Sequence, residues 1–99
     1  MKAEFTFTSA YYEWHLLDGN GKIVHNMVDP SENLCHEDGT PLSYKEVLSF
    51  VSGDLNAAES NYADGTAYNG IMLEDGFTAS QMKAAANVMA HALYNYYIA

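Results

Sequence analysis

Glu13 and His15 stand two positions apart in an alternating segment, a spacing that could pair a carboxylate with an imidazole. Residues i and i+2 of a strand lie on the same face, so the glutamate could orient the histidine for general acid–base chemistry. Asn26 comes opposite Glu13 in one register of the predicted hairpin. However, the spacing fixes no nucleophile near this pair, and polar residues are ordinary on the solvent face of an amphipathic strand. We therefore assign the pair to the sheet surface and predict no catalytic residue.

His25 falls on the apolar side of the same predicted hairpin, beside Trp14 and Tyr12. An acid or base tuned for catalysis would need a charged neighbour, and the spacing places no acid close to it. Buried polar groups usually have at least one hydrogen-bond partner. We predict a core histidine with one of its nitrogens bonded.

Cys35 and His36 could form a thiolate–imidazole pair or ligate a metal. Adjacent residues of an extended chain point apart, and a zinc site needs four ligands at characteristic spacings. One cysteine and four scattered histidines do not provide them. The segment 18–22 resembles a calcium loop only superficially, because Lys22 occupies a ligand position. We predict no metal and no cofactor.

The elements that position these residues follow from the apolar pattern. Residues 3–8 and 11–17 alternate in opposite parity, which predicts a bulge or turn at Ser9 and Ala10. Residues 18–21 predict a hairpin turn into a strand over 22–28. The predicted apolar face contains Tyr12, Trp14, Leu16, Ile23, His25 and Met27. The opposite face contains Glu13, His15, Lys22, Val24 and Asn26.

Two helices are predicted over about 43–63 and 78–98, and each begins with a capping box. In this motif a serine or threonine caps the helix, and a glutamate or glutamine three residues later bonds back to it. The first apolar stripe passes Gly53 without interruption, so we predict one continuous helix with Gly65 beyond its end. This stripe consists of Tyr44, Leu48, Val51, Leu55, Ala58 and Tyr62, and that of the second helix of Met82, Ala86, Met89, Leu93 and Tyr96.

These elements predict an α+β fold in one domain spanning residues 1–99. A small antiparallel sheet, made of the N-terminal hairpin and one or two further short strands, packs against two helices. Residues 1–29 are β-rich, 30–42 form a loop with a short helical turn after Ser31, and 43–99 are helical. Residues 71–73 are the candidate for an additional strand.

Charge restricts the function. Thirteen acidic residues face four lysines and no arginine, which gives a formal net charge of −9. Such a chain is a poor ligand for nucleic-acid phosphates and for anionic membranes. A single cysteine, a start without the apolar core of a signal peptide, and no apolar run near ~20 residues predict a cytoplasmic protein. If a phage encodes it, the compartment is the host cytoplasm.

The acidic loops and the tyrosines of the second helix are the candidate partner-binding residues. Tyrosines occur on more than one side of that helix, so Tyr94 or Tyr97 is expected to face outward, as at a protein interface. The acidic loops could imitate nucleic-acid phosphates in a basic groove, or simply keep the domain dispersed. The candidates are Asp29, Glu32, Glu37, Asp38, Asp64, Glu74, Asp75, Tyr94 and Tyr97.

The sequence therefore predicts a small non-enzymatic inhibitor that binds a basic, nucleic-acid-handling protein. Phage-encoded anti-CRISPR and anti-restriction proteins share this size and charge, and DNA mimicry is the sharper form of the hypothesis. The main alternative is a homodimer or larger assembly joined by the second helix or by a sheet edge. A third hypothesis is a small enzyme that uses Glu13, His15 or His25, which would require a concave pocket around them.

Overall fold

The computed structural model describes residues 1–7, 10–63 and 78–99, with the side chains of the first α-helix described as far as residue 57. Within these residues the chain has a small α+β fold, as predicted. A three-stranded antiparallel sheet has the order β1-β2-β3. The elements are β1 (Lys2–Phe7), β2 (Tyr12–Leu17), β3 (Ile23–Val28), a 3₁₀ turn (Ser31–Asn33), α1 (Tyr44–Ala63) and α2 (Ala79–Tyr97).

The first hairpin resolves the parity change near residue 9. Phe5 pairs with Trp14 and Phe7 pairs with Tyr12 across an antiparallel ladder. The residues on the two sides of the parity change therefore belong to two antiparallel strands. Because cross-strand partners share a face, all four rings lie on the same side of the sheet.

The second hairpin contains a bulge that the sequence did not predict. Trp14 pairs with Met27 and Leu16 pairs with His25, which confirms the predicted apolar face at these positions. Between Leu16 and Leu17 the register shifts, so Ile23 pairs with Leu17 on the other face. Val24 is fully buried in the core, and its predicted place on the opposite face is wrong. An extra residue in one strand reverses the alternation beyond it, which explains both differences.

Asp18 organises the turn between β2 and β3. Its Oδ1 accepts hydrogen bonds from the backbone N–H groups of Asn20 (2.8 Å) and Lys22 (2.9 Å). These amide donors, that of Lys22 first, hold the pKa of Asp18 below its ordinary value. Gly21 adopts φ 80°, a conformation that glycine reaches without a Cβ clash.

Both predicted capping boxes are present. The amide of Glu46 donates to Ser43 Oγ (3.2 Å), and the amide of Ser43 donates to Glu46 Oε1 (2.9 Å). At α2 the amide of Gln81 donates to Thr78 Oγ1 (3.1 Å), and the amide of Thr78 donates to Gln81 Oε1 (2.8 Å). Helix α1 continues through Gly53, as its apolar stripe predicted.

The core lies between one face of the sheet and the two helices. Tyr96 departs from the predicted stripe of α2, because it is 59% exposed and lies over the sheet rather than between the layers. Leu34 in the loop also joins the core. The buried apolar residues of the core are Trp14, Leu16, Val24, Met27, Leu34, Val47, Val51, Leu55, Ala85, Ala86, Met89, Ala90 and Leu93.

Three predictions concern residues outside the described part of the chain. They are Ser9 in the first turn, the Gly65 cap and the strand over 71–73.

The short helical turn after Ser31 is confirmed by the 3₁₀ turn. Among the described residues, no helix combines the length and the apolarity that a membrane crossing requires.

Candidate protein-binding surface

One end of the sheet carries a group of partly exposed aromatic side chains, Phe5, Phe7, Tyr12 and Tyr96, which we call the aromatic patch. The pairing of β1 with β2 places the first three side by side, and the last turn of α2 adds Tyr96. The ring centroids of Phe7 and Tyr12 are 4.7 Å apart, those of Tyr12 and Phe5 5.1 Å, and those of Phe5 and Tyr96 4.8 Å. Phe7, Tyr12 and Tyr96 are 61%, 49% and 59% exposed. The patch is therefore a continuous aromatic surface open to solvent.

Trp14 and Tyr97 form the base of the patch. The indole of Trp14, only 4% exposed, meets Phe5 and Tyr96 edge to face. Its Nε1–H donates to Tyr97 Oη (3.0 Å), and Tyr97 donates in turn to Asp29 Oδ1 (2.8 Å). Burial raises the pKa of Tyr97 to about 12, and the Asp29 carboxylate acts in the same direction against the opposing effect of the indole N–H. The phenol thus remains protonated at neutral pH and keeps its bond to the carboxylate.

Asp29 is fixed at the edge of the patch. Its backbone N–H donates to the carbonyl of Tyr12 (3.0 Å), which continues the ladder beyond β3. Its Oδ1 also accepts from the backbone N–H of Ser31 (3.0 Å) at the start of the 3₁₀ turn. Glu32 is exposed in that turn. Of the predicted acidic residues that the structure describes, Asp29 is the one joined to the aromatic patch.

Glu37 and Asp38 lie at the tip of a second, separately braced loop. Cys35 and Pro41 form an isolated antiparallel bridge that closes it. Asp38 Oδ1 accepts from the backbone N–H and the hydroxyl of Thr40 (3.0 and 2.7 Å), and these donors hold the pKa of Asp38 below its ordinary value. Glu37 is exposed. The predicted acidic residues within 29–38 are therefore divided between two loops.

His36 ties this loop to the start of α1. Its Nε2 lies 2.8 Å from Glu46 Oε2, and its Nδ1 lies 3.0 Å from Thr40 Oγ1. The hydrogen bond to Glu46 raises the pKa of His36 above its ordinary value. The Ser43 amide and then His36 lower the pKa of Glu46 to about 2. The Cys35–His36 segment thus stabilises the loop, because the imidazole of His36 contacts the Glu46 carboxylate.

Tyr94 and Tyr97 do not supply the outward aromatic face that the sequence predicted. Both are half-buried and pack against the core. Tyr94 meets Tyr44 edge to face at 5.7 Å. The exposed tyrosine of α2 is Tyr96, which stacks on Phe5 of the sheet. Its spacing continues the apolar stripe of α2, so the sequence assigned it to the core. Asp64, Glu74 and Asp75 lie outside the described residues.

Glu13 and His15 form the pair that their spacing predicts, with Glu13 Oε1 2.7 Å from His15 Nε2. Glu4 and Asn26 lie directly across from His15 on the neighbouring strands. Glu13 is only 7% exposed, so its assignment to the solvated surface is wrong. Because Glu13 lies on the central strand, neighbouring strands flank its side chain on both sides.

His25 is a fully buried core residue with one bonded nitrogen, as predicted. Its Nε2 lies 2.8 Å from Oδ2 of Asp54 on α1. Nδ1 has no hydrogen-bond partner among the described residues. The acid was not predicted because it is 29 positions away in the sequence. The pair joins β3 to α1 through the interior.

A cleft of about 340 Å³ lies between α1 and α2. The described residues that line it include no carboxylate, histidine or cysteine, so the pairs described above do not meet in it. Its lining residues are Leu48, Ser52, Asn56, Ala79, Met82, Lys83, Ala86 and Asn87.

Within residues 1–7, 10–63 and 78–99, no three His, Cys, Asp or Glu side chains are grouped to hold a metal ion. Comparison of the chain with protein-family models, with curated proteins and with solved structures found no match.

Proposed function

We propose that this chain is a non-enzymatic inhibitor that binds a basic, nucleic-acid-handling protein through the aromatic patch and the acidic loops. The observation that carries the proposal is the exposed aromatic surface with Asp29 fixed at its edge. Protein interfaces are enriched in aromatic residues, and rigid aromatic anchors at their centres carry much of the binding energy. Such an inhibitor would resemble anti-CRISPR and anti-restriction proteins in size and charge.

Rigidity of the patch supports this role. Phe5 stacks on Tyr96 and meets Trp14, while Trp14 and Tyr97 are hydrogen-bonded beneath them. An anchor whose rotamers are already fixed loses little side-chain entropy on binding, whereas a mobile side chain costs about 0.5–1.5 kcal/mol.

Charge indicates the class of partner. A net charge of −9 repels nucleic acids and other acidic proteins, and it steers basic surfaces toward the chain. Asp29, Glu37 and Asp38 are held in place by hydrogen bonds or by the loop that carries them. In the sharper form of the proposal, these fixed carboxylates occupy phosphate positions in the partner's nucleic-acid groove.

A homo-oligomer is the second candidate, and the exposed strands favour it. In the described sheet, β1 and β3 are both edge strands, and exposed edges can pair with a second copy. The aromatic patch begins on β1, so an edge-to-edge dimer would extend it. Repulsion between two chains of charge −9 opposes this arrangement, most strongly at low salt.

The two candidates differ in their response to salt. A tagged chain is incubated with nuclease-treated bacterial lysate, eluted with a salt ramp and analysed by mass spectrometry. We expect a basic nucleic-acid-handling protein at moderate salt, whose DNA or RNA binding the purified chain then inhibits. Val28→Ala, at an exposed apolar residue on the other sheet face, is expected to behave as wild type. Recovery of the bait alone, as an oligomer that withstands high salt, would favour the assembly protein.

A further inference from the structure

We infer that the aromatic patch binds arginine side chains of the basic partner, an inference that rests on the proposed function. The guanidinium group would contact the rings directly, in addition to the general attraction between opposite charges. This contact depends on the geometry of three exposed rings and one carboxylate.

The faces of exposed aromatic rings attract cations. Phe7, Tyr12 and Tyr96 are about half exposed or more, and the contacts through Phe5 make one continuous surface. A ring quadrupole is negative above its face, and arginine occupies such positions more often than lysine. Guanidinium is planar and weakly hydrated, so it stacks on rings at a smaller desolvation cost than ammonium.

Asp29 adds a carboxylate at the edge of this surface. It accepts from Tyr97 and from the amide of Ser31, both through Oδ1. A carboxylate offers about four acceptor sites, so two donors use part of its capacity. A guanidinium stacked at the edge of the patch could bond Asp29 while its plane covers a ring, a combination that the compact ammonium of lysine matches less well.

Three of the chain's four lysines lie away from the aromatic patch. Lys2 is bonded to Glu4 at 2.8 Å and pairs with Leu17, at the end of the sheet opposite Phe7. Lys22 lies in the turn at that same far end. Lys83 precedes Tyr96 by about 13 residues on α2, which corresponds to about 20 Å along the helix. Three of the four lysines therefore lie away from the rings, and the fourth, Lys45, is exposed in the first turn of α1.

Other occupants of the patch fit the charges less well. Nucleobases also stack on exposed rings, but their phosphates would meet the net charge of −9. A second copy of the chain would present further aromatic rings and acidic residues, with no arginine in its sequence. A basic protein segment provides both the cation and the favourable long-range field.

Two peptides of equal length and charge test the inference, a blocked oligo-arginine and a blocked oligo-lysine. Their affinities for the whole chain are measured by isothermal titration calorimetry at physiological salt. We expect the arginine peptide to bind about three- to tenfold more tightly, as expected for one or two cation–π contacts. Tyr96→Ala and Phe7→Ala are expected to bring this ratio close to one, whereas Tyr96→Phe and Val28→Ala preserve it.

The outcomes separate this inference from the proposed function. If both peptides bind equally and Tyr96→Ala changes neither affinity, the inference is wrong and the acidic loops alone attract the basic partner. If neither peptide binds, the proposed function itself fails. A salt-resistant dimer that Tyr96→Ala dissociates would assign the patch to a second copy and overturn both. Circular dichroism confirms that each variant is folded, and Phe7, as an exposed strand end, provides a variant that leaves α2 intact.

Discussion

Asp54→Ala tests whether the interior pair of His25 and Asp54 holds α1 against the sheet. In the native chain His25 is fully buried and its Nε2 lies 2.8 Å from Asp54 Oδ2. Because Nδ1 already has no partner among the described residues, removing the carboxylate leaves the imidazole without a described bond. Leaving a buried polar group unsatisfied costs about 1–3 kcal/mol. The Asp54 side chain is 24% exposed, so water can reach the vacated site and we expect a loss of about 1–2 kcal/mol.

Urea unfolding followed by Trp14 fluorescence and far-UV circular dichroism measures this loss. For a domain of this size, each kcal/mol corresponds to a decrease in Tm of about 4–8 °C. Asn56→Ala is the matched control, since it removes an exposed polar side chain two positions along the same helix. We expect the control to stay within about 0.5 kcal/mol of wild type.

A double-mutant cycle shows whether the loss belongs to the pair. His25→Leu replaces the imidazole by an apolar side chain of similar volume, so Asp54→Ala should cost little in that background. We expect a coupling energy of about 1–2 kcal/mol, typical of residues in direct contact. If Asp54→Ala is as stable as the Asn56→Ala control, or if its cost is the same in both backgrounds, the hydrogen bond does not hold the helix.

Two further predictions concern the loops. The hydrogen bond to Glu46 raises the pKa of His36, so the stabilisation from this pair is complete between the ordinary pKa values of Glu46 (4.5) and His36 (6.5). It is lost as the pH rises through the raised pKa of His36, or falls toward the lowered pKa of Glu46, about 2. NMR titration of the imidazole should give a midpoint above 6.5 that falls in Glu46→Gln. Gly21→Ala should destabilise the hairpin by about 1–2 kcal/mol, because Gly21 has φ 80° whereas Gly19 in the same turn is not in that region. Gly19→Ala, measured by the same urea unfolding, should be close to neutral, and equal effects at the two positions would contradict the argument.

Local chemistry accounts for the parts of the fold that the sequence predicted. Each capping box depends on side chains three residues apart, so Ser43 with Glu46 and Thr78 with Gln81 could be recognised without tertiary information. The continuation of α1 through Gly53 could also be predicted, because an apolar stripe that continues past a glycine indicates that the helix continues too.

Features that depend on the register or on distant contacts were not predictable in the same way. A bulge near Leu16 reversed the alternation and buried Val24, although no residue type in the segment marks the shift. The His25–Asp54 pair joins residues from a strand and a helix, and periodicity within either element cannot show which side chains meet. Tyr96 has the spacing of a core residue, although it lies against Phe5 at the surface and is 59% exposed.

The aromatic patch brings together residues that the sequence did not group. The sequence emphasised acidic loops and helix tyrosines, whereas the rings of the patch come from β1, β2 and the last turn of α2 and meet only in the folded chain. The same fold turns Tyr97 inward, where it bonds Trp14 and Asp29. Under the proposed function this arrangement would link a structural role to binding, because the bonds that fix the base of the patch also fix a carboxylate at its edge. Substitution of Tyr97 would therefore weaken the binding of a partner that contacts both the rings and that carboxylate, even if Tyr97 itself does not touch the partner.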